Sequence, residues 1–265
     1  MSVLLQISDT HFGTEQPAVV EALVALARQQ QPDLLVLSGD ITQRARPAQF
    51  KLARNLMQRL GAPLLAIPGN HDIPLFNLWA RLRHPYAQHI AEFGKDLEPV
   101  HNSPDLMVVC VNTIRAWRHK NGQVSAQQID RVARQLANAT AAQLRVVVVH
   151  QPVAVTRQQD LPNLLRGRAA ALPRWAAAGA DIVIGGHIHL PFVMPLPGLT
   201  RLMWAVQAGT AISSRVRQGA PNSVNLLRWG AHSSAGCCLV EQWDFSAAEQ
   251  AFVRRQITEI RPARA

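Results

Sequence analysis

Acidic residues are scarce in this sequence. Seventeen Asp and Glu stand against 27 Lys and Arg, a formal net charge of +10, and only three of those bases are lysine, the other 24 being arginine. This balance suits phosphate-bearing partners, nucleic acid among them, because a planar guanidinium grips two phosphate oxygens at once; the plainer reading is an arginine-biased, solvated surface. Cysteine is also rare. Cys110, Cys237 and Cys238 form no C-x-x-C pair, which excludes a disulfide scaffold and a thiolate metal site, and all three are expected to be reduced and structural. No apolar run approaches the ~20 residues of a membrane-spanning helix. No low-complexity tract is present, and 48% hydrophobic with 17% charged residues predicts a folded globular chain. The opening MSVLLQISDTHFG has no basic n-region before its polar residues, so no signal peptide is expected, and the default location is the cytoplasm.

What is present is a regular alternation. VLLQI (3–7), LLVLS (34–38) and LLAI (64–67) read as buried strands. Between them, 17–30 carries apolar residues at helical spacing, and a second helix opens at Pro47 and closes at Gly61. The order βαβαβ predicts a parallel sheet here. Further strands are expected at 106–111, 145–150 and 181–187, with a helix opened by the capping box SAQQ (125–128). Residues 164–178 look helical, but Pro173 leaves the start open. After residue 190 the pattern turns to short β-like pieces, at 192–194, 202–206, 224–229 and 237–245. One domain over 1–265 is expected, with its motifs in 1–190 and a mainly β part over 191–265.

Polar residues stand where the strands end. The first strand runs into SDTH (Asp9, His11), the second into SGD (Asp40), and the third into PGNHD (Asn70, His71, Asp72). The next two end at His150 and at GGHIH (His187, His189). Ligands of open α/β sheets bind outside the carboxyl ends of the strands, so these groups are expected to converge. Carboxylate, imidazole and amide oxygen without thiolate suit divalent ions such as Mn²⁺, Fe²⁺, Ni²⁺ or Zn²⁺. Residues two apart on an extended segment point to one side, so Asp9 pairs with His11 and His187 with His189. Two ions about 3.5–4 Å apart need a shared anion, and Asp40 is the choice.

The ordered set D-x-H, GD, GNHD, H and GHxH, spread over residues 9–189, resembles the calcineurin-like metallophosphoesterase superfamily. ISDTH and GDIT look most like its bacterial cyclic-nucleotide phosphodiesterase branch. The resemblance implies an α/β fold, a four-layer αββα sandwich of two mixed sheets flanked by helices. It places Asp9, His11 and His189 on one metal and Asn70, His150 and His187 on the other, with Asp40 bridging; the metals are Mn²⁺, Fe²⁺/Fe³⁺, Zn²⁺ or Ni²⁺. His71 is left free of metal as an acid/base or phosphate-binding group, and Asp72 beside it is expected to orient or charge its imidazole. Many relatives have a second histidine after the ligand corresponding to His150, whereas Gln151 and Pro152 follow here, which bears on substrate range.

The function this implies is hydrolysis of small phosphodiesters, with 3′,5′-cyclic nucleotides as candidates, by a metal-bridging hydroxide. Arg44 and Arg46, in the loop after Asp40, are candidate substrate contacts. Arg215 and Arg217 are candidates for the pocket edge, and Trp117, within RAWRHK (115–120), for a base-stacking rim. Two rival readings are a nuclease of the repair-exonuclease branch, which would explain the charge, and a non-catalytic interaction protein on the same scaffold.

Overall fold

Strands apolar on both faces need cover on both sides, and three separate apolar cores provide it. The computed structural model describes residues 1–230 and 236–263. The chain begins β1 (Ser2–Ile7), α1 (Pro17–Gln30), β2 (Leu34–Ser38), α2 (Pro47–Leu60) and β3 (Leu64–Ile67). Two short helices follow, α3 (Leu78–Arg83) and α4 (Ala87–Phe93), and then β4 (Val100–Asn102), β5 (Leu106–Cys110), α5 (Ala126–Ala137), β6 (Leu144–Val148), α6 (Arg168–Ala177) and β7 (Ile182–Gly185). The rest is β: β8 (Phe192–Leu196), β9 (Met203–Gln207), β10 (Ser223–Trp229), β11 (Cys238–Ser246) and β12 (Ala251–Ile260).

One sheet has the order β12-β11-β10-β1-β2-β3 and the other β4-β5-β6-β7-β9-β8. Both are mixed: β1–β3 and β5, β6, β7 and β9 run parallel, while β10–β12 and the outer strands β4 and β8 are antiparallel. Leu4, Val36 and Ile67 of the first sheet meet Val108, Val146 and Ile184 of the second in the central core. α1 and α2 cover the outer face of the first sheet, and α5 and α6 that of the second. The layers are therefore α/β/β/α, as expected. All three cysteines are buried and unbridged. Among the described residues, no helix is long and apolar enough to cross a membrane.

Local chemistry explains most boundaries. Pro47 occupies the first turn of α2, and Gly61 ends it in the left-handed region at φ 77°. Ser125 Oγ accepts the Gln128 N–H at 3.2 Å, closing the capping box of α5. α6 starts at Arg168, later than the pattern from 164 suggested, because Gly167 at φ 86° breaks the backbone there; Pro173 is tolerated inside it. The strands expected to reach His150 and His187 stop at Val148 and Gly185, so both histidines lie on the loops beyond. α3, α4, β4 and β12 are elements that the apolar pattern of the sequence does not mark.

Candidate metal centre

Every strand that carries a motif delivers it just past its carboxyl end: β1 Asp9 and His11, β2 Asp40, β3 Asn70 and His71, β6 His150, β7 His187 and His189. The first three strands belong to one sheet and the last two to the other, so the site straddles the seam between them. The backbone there is unusual. Asp9, His11, Asp40, His187 and His189 all have positive φ, from 41° to 76°, a region that costs an L-residue roughly 1–2 kcal/mol. These residues therefore enter the site by left-handed turns, not by the alternation of an extended strand as the spacing suggested: Asp9 and His11 stay together in one donor group, while His187 and His189 fall in different ones. Glycines let these loops approach. A Cβ on Gly39 would lie 2.4 Å from His150 Nδ1, and one on Gly186 would lie 2.0 Å from Ser8 Oγ and 2.4 Å from Asp9 Oδ2.

The donors form two groups that share one carboxylate. Asp9, His11, Asp40 and His189 each place a ligand atom within 4.8 Å of the others, and so do Asp40, His150 and His187. His189 Nε2 is 3.2 Å from Asp9 Oδ1 and 3.0 Å from His11 Nε2. His150 Nε2 is 3.3 Å from Asp40 Oδ1 without hydrogen-bond alignment. The decisive test of fit is what lacks a partner. Asn70 Oδ1, His150 Nε2 and both ring nitrogens of His187 are buried with no hydrogen bond, an arrangement that costs free energy unless another group binds there. They are the atoms a divalent cation beside Asp40 would use, and the oxygen and imidazole donor set fits such an ion.

The surrounding bonds fix how these side chains point. His150 Nδ1 donates to the Ser38 carbonyl at 2.9 Å and His189 Nδ1 to the Arg215 carbonyl at 2.6 Å. Each bond leaves Nε2 turned inward as the free ligand atom. Asp9 is held by Ser8 Oγ (2.7 Å) and the His187 N–H (2.9 Å). Asp40 Oδ1 accepts the His71 backbone N–H at 2.9 Å. Burial opposes ionisation of Asp9, but the adjacent His189 outweighs it and holds the carboxyl at about 2. Burial likewise opposes a charged His150, and the Asp40 carboxylate outweighs it, pushing the imidazole up to about 9. Burial pushes His11 and His187 down to about 3. Asp9 and Asp40 are thus held ionised beside two imidazoles held neutral, the ionisation states a metal ligand needs.

These groups lie in or under a cavity of about 660 Å³, lined by Asp40, Asn70, His71, His187 and His189 together with Arg44, Arg215 and Arg217. His71 Nδ1 donates to the Gln43 carbonyl at 3.1 Å, which aims Nε2 at the cavity, 3.3 Å from Arg215 Nη1. Asp72 does not orient this ring. Its buried carboxylate accepts the N–H groups of Ile41 (3.0 Å), Thr42 (2.8 Å) and Gly69 (2.8 Å) and the Thr42 hydroxyl (2.9 Å). It therefore clasps the loops after β2 and β3, and the expectation of an Asp72–His71 pair is corrected to Gln43–His71. Arg44 reaches the cavity wall, but Arg46, the exposed residue before α2, does not.

Arg215 is the basic residue most deeply engaged. Its Nη1 lies 3.1 Å from His11 Nδ1 and donates to Gln43 Oε1 at 2.9 Å. Arg217 pairs with the buried Asp160 at 2.9 Å. Of the segment 115–120, His119 and Lys120 line the cavity, while Arg115 donates to the carbonyls of Asn112 and Ile114. Gln151 accepts from Thr113 Oγ1 at 2.6 Å and donates to the Lys120 carbonyl at 3.3 Å, so it ties this loop to the end of β6. Gln43, Asp160 and Asn163 carried no sequence signal, because each owes its place to tertiary neighbours.

The sequence profile of the calcineurin-like phosphoesterase family matches residues 2–191, the stretch that carries every candidate ligand. The chain belongs to this family. As a calcineurin-like phosphoesterase it is a metal-dependent phosphoester hydrolase. It is 26% identical over 200 residues to a probable cyclic nucleotide phosphodiesterase of Synechococcus sp., covering 72% of this chain and 74% of the relative. A probable cyclic nucleotide phosphodiesterase of Psychrobacter arcticus is 30% identical over 216 residues, covering 70% and 73%. The fold matches that of a dimetal phosphatase from Danio rerio with TM-score 0.69 at 14% identity, over 99% of each chain.

Proposed function

We propose that the chain hydrolyses small phosphodiesters, 3′,5′-cyclic nucleotides among them, at a dinuclear centre. In this reading Asp9, His11 and His189 hold one ion, Asn70, His150 and His187 the other, and Asp40 both. The buried Asn70 Oδ1 and His187 ring nitrogens, which have no hydrogen-bond partner, carry it, with His150 Nε2 3.3 Å from Asp40 Oδ1 beside them. Bound there, Mn²⁺, Fe²⁺, Zn²⁺ or Ni²⁺ ions would acidify water and neutralise phosphate charge.

The protein's own residues do the rest. Gln43 holds the His71 ring through Nδ1, leaving Nε2 to take up a proton and pass it to the departing oxygen. Arg215 and Arg44 present guanidinium groups to the phosphate oxygens, and the Arg215 carbonyl keeps His189 in its tautomer. A cavity of about 660 Å³ is in the range of small-ligand pockets, roughly 300–1,000 Å³. The names of the two relatives support the cyclic-nucleotide assignment.

The net charge of +10 favours a second reading, a nuclease. One screen separates them: purified protein with Mn²⁺ on 3′,5′-cyclic AMP, 2′,3′-cyclic nucleotides, an aryl phosphodiester, an aryl monoester and single-stranded DNA. Turnover of the cyclic and aryl diesters is expected. Degradation of DNA with steeply salt-dependent binding and no cyclic-nucleotide turnover would overturn the proposal in favour of the nuclease.

A further inference from the structure

α3 is built inside out. Its sequence is LWARLR, and the buried residue is Arg81, 7% exposed, while Leu78, Trp79 and Leu82 are 67%, 66% and 68% exposed. Arg81 is held by three carbonyls: Pro74 at 2.8 Å, Ala116 at 2.7 Å and Arg118 at 2.6 Å. One guanidinium thus staples α3 to segment 115–118, and the apolar side chains are turned outward by a specific anchor. Phe76, 82% exposed, precedes the helix, and Trp117, 72% exposed, lies on the stapled segment. Both segments border the cavity, through Ile73 and Leu75 on one side and His119 and Lys120 on the other.

The charges that the two segments themselves carry are basic, while Glu98 accepts the Asn112 N–H behind them and Asp160, paired with Arg217, lines the cavity. Residues 73–91 and 111–129 contain five Lys and Arg and no Asp or Glu. Arg83 and Lys120 are exposed on these segments, and the Arg44 guanidinium sits 5.7 Å from the Phe76 ring centre. Protruding apolar groups flanked by exposed cations call for a partner that yields to them and carries negative charge. A second copy of the chain fits poorly, since self-docking would set Arg83 and Lys120 against the same cations. Tryptophan and leucine that enter a headgroup boundary, with arginine beside them, match the chemistry of an anionic bilayer surface.

We propose that this rim docks peripherally on anionic membranes, with Phe76, Leu78, Trp79, Leu82 and Trp117 entering the headgroup region and the flanking arginines and lysine meeting lipid phosphate. Docking turns the mouth of the cavity toward the bilayer. It stands apart from the reaction assigned above, and its test does not use catalysis. The full chain is floated with vesicles of phosphatidylcholine and phosphatidylglycerol in equal parts, and with phosphatidylcholine alone. The wild-type protein is expected to float with the mixed vesicles and not with the neutral ones. Trp79→Ser/Leu82→Ser and, separately, Arg83→Glu should weaken this by about tenfold or more. Unchanged circular dichroism and melting temperature would establish that both variants fold. Failure of the wild-type protein to float would overturn the proposal, as would equal flotation of the double variant. So would a wild-type dimer that the double variant converts to monomer without any vesicle binding, or DNA binding that it abolishes in the same way.

Discussion

Asp40 is the one side chain common to both donor groups, and its two oxygens serve different neighbours: Oδ1 faces His150 and the His71 N–H, and Oδ2 lies 3.8 Å from His11. Asp40→Ala should empty both halves together, and bound metal measured by elemental analysis should fall toward zero, not by half. His71 is the contrast. It reaches the cavity without joining either group, so His71→Ala should lower kcat by about 100- to 10,000-fold while metal content stays at the wild-type level. Parallel loss of metal and turnover would refute its assignment to proton transfer. At this scale the sequence was legible where a ligand follows an apolar strand, because strand and motif are contiguous. It was silent on the left-handed backbone of Asp9 or His187, which only the packing of opposed loops imposes, and on Gln43, whose carbonyl is what holds His71.

Among the elements, the loops after β2 and β3 depend on Asp72. Removing a buried carboxylate that accepts four hydrogen bonds leaves the N–H groups of Ile41, Thr42 and Gly69 without an acceptor. Asp72→Ala should therefore cost about 2–3 kcal/mol, read from urea unfolding. α4 supplies a pH-dependent contribution. His89 is buried against Phe50, with ring centres 6.2 Å apart, and burial pushes its imidazole down to about 4. The unfolded chain takes up this proton near the ordinary value of 6.5. As pH falls from about 6.5 to 4 the unfolded state binds more protons and stability drops, by about 3 kcal/mol in all. His89→Leu should flatten the difference in stability between pH 7 and pH 5 relative to wild type, measured by chemical denaturation. The strands and helices of the first half were readable because short apolar runs and the Pro47 and Gly61 signals agree. β12 was not, since AFVRRQITEI is an edge strand whose centre is exposed and which needs no apolar alternation. α3 was missed because its apolar residues face outward.

For the whole molecule, the candidate centre joins the two sheets: Asp9, His11, Asp40 and Asn70 come from one and His150, His187 and His189 from the other. A ligand bound only by the folded state stabilises it by mass action. Chelator treatment should therefore abolish hydrolysis and lower the melting temperature cooperatively for the entire chain, and added Mn²⁺ should restore both. An unchanged melting curve with undiminished hydrolysis after metal stripping would refute a metal centre at the seam.

Five adjoining positions with left-handed backbone set a direction for how this chain would drift if selected for robustness alone. At Asp40, φ 47°, glycine would relax the main chain and remove a buried charge in a single step. While ions are bound, that gain is offset by the stabilisation they lend the folded chain, so only a lineage that had stopped holding metal would gain by giving up this carboxylate, and it would keep its architecture in doing so.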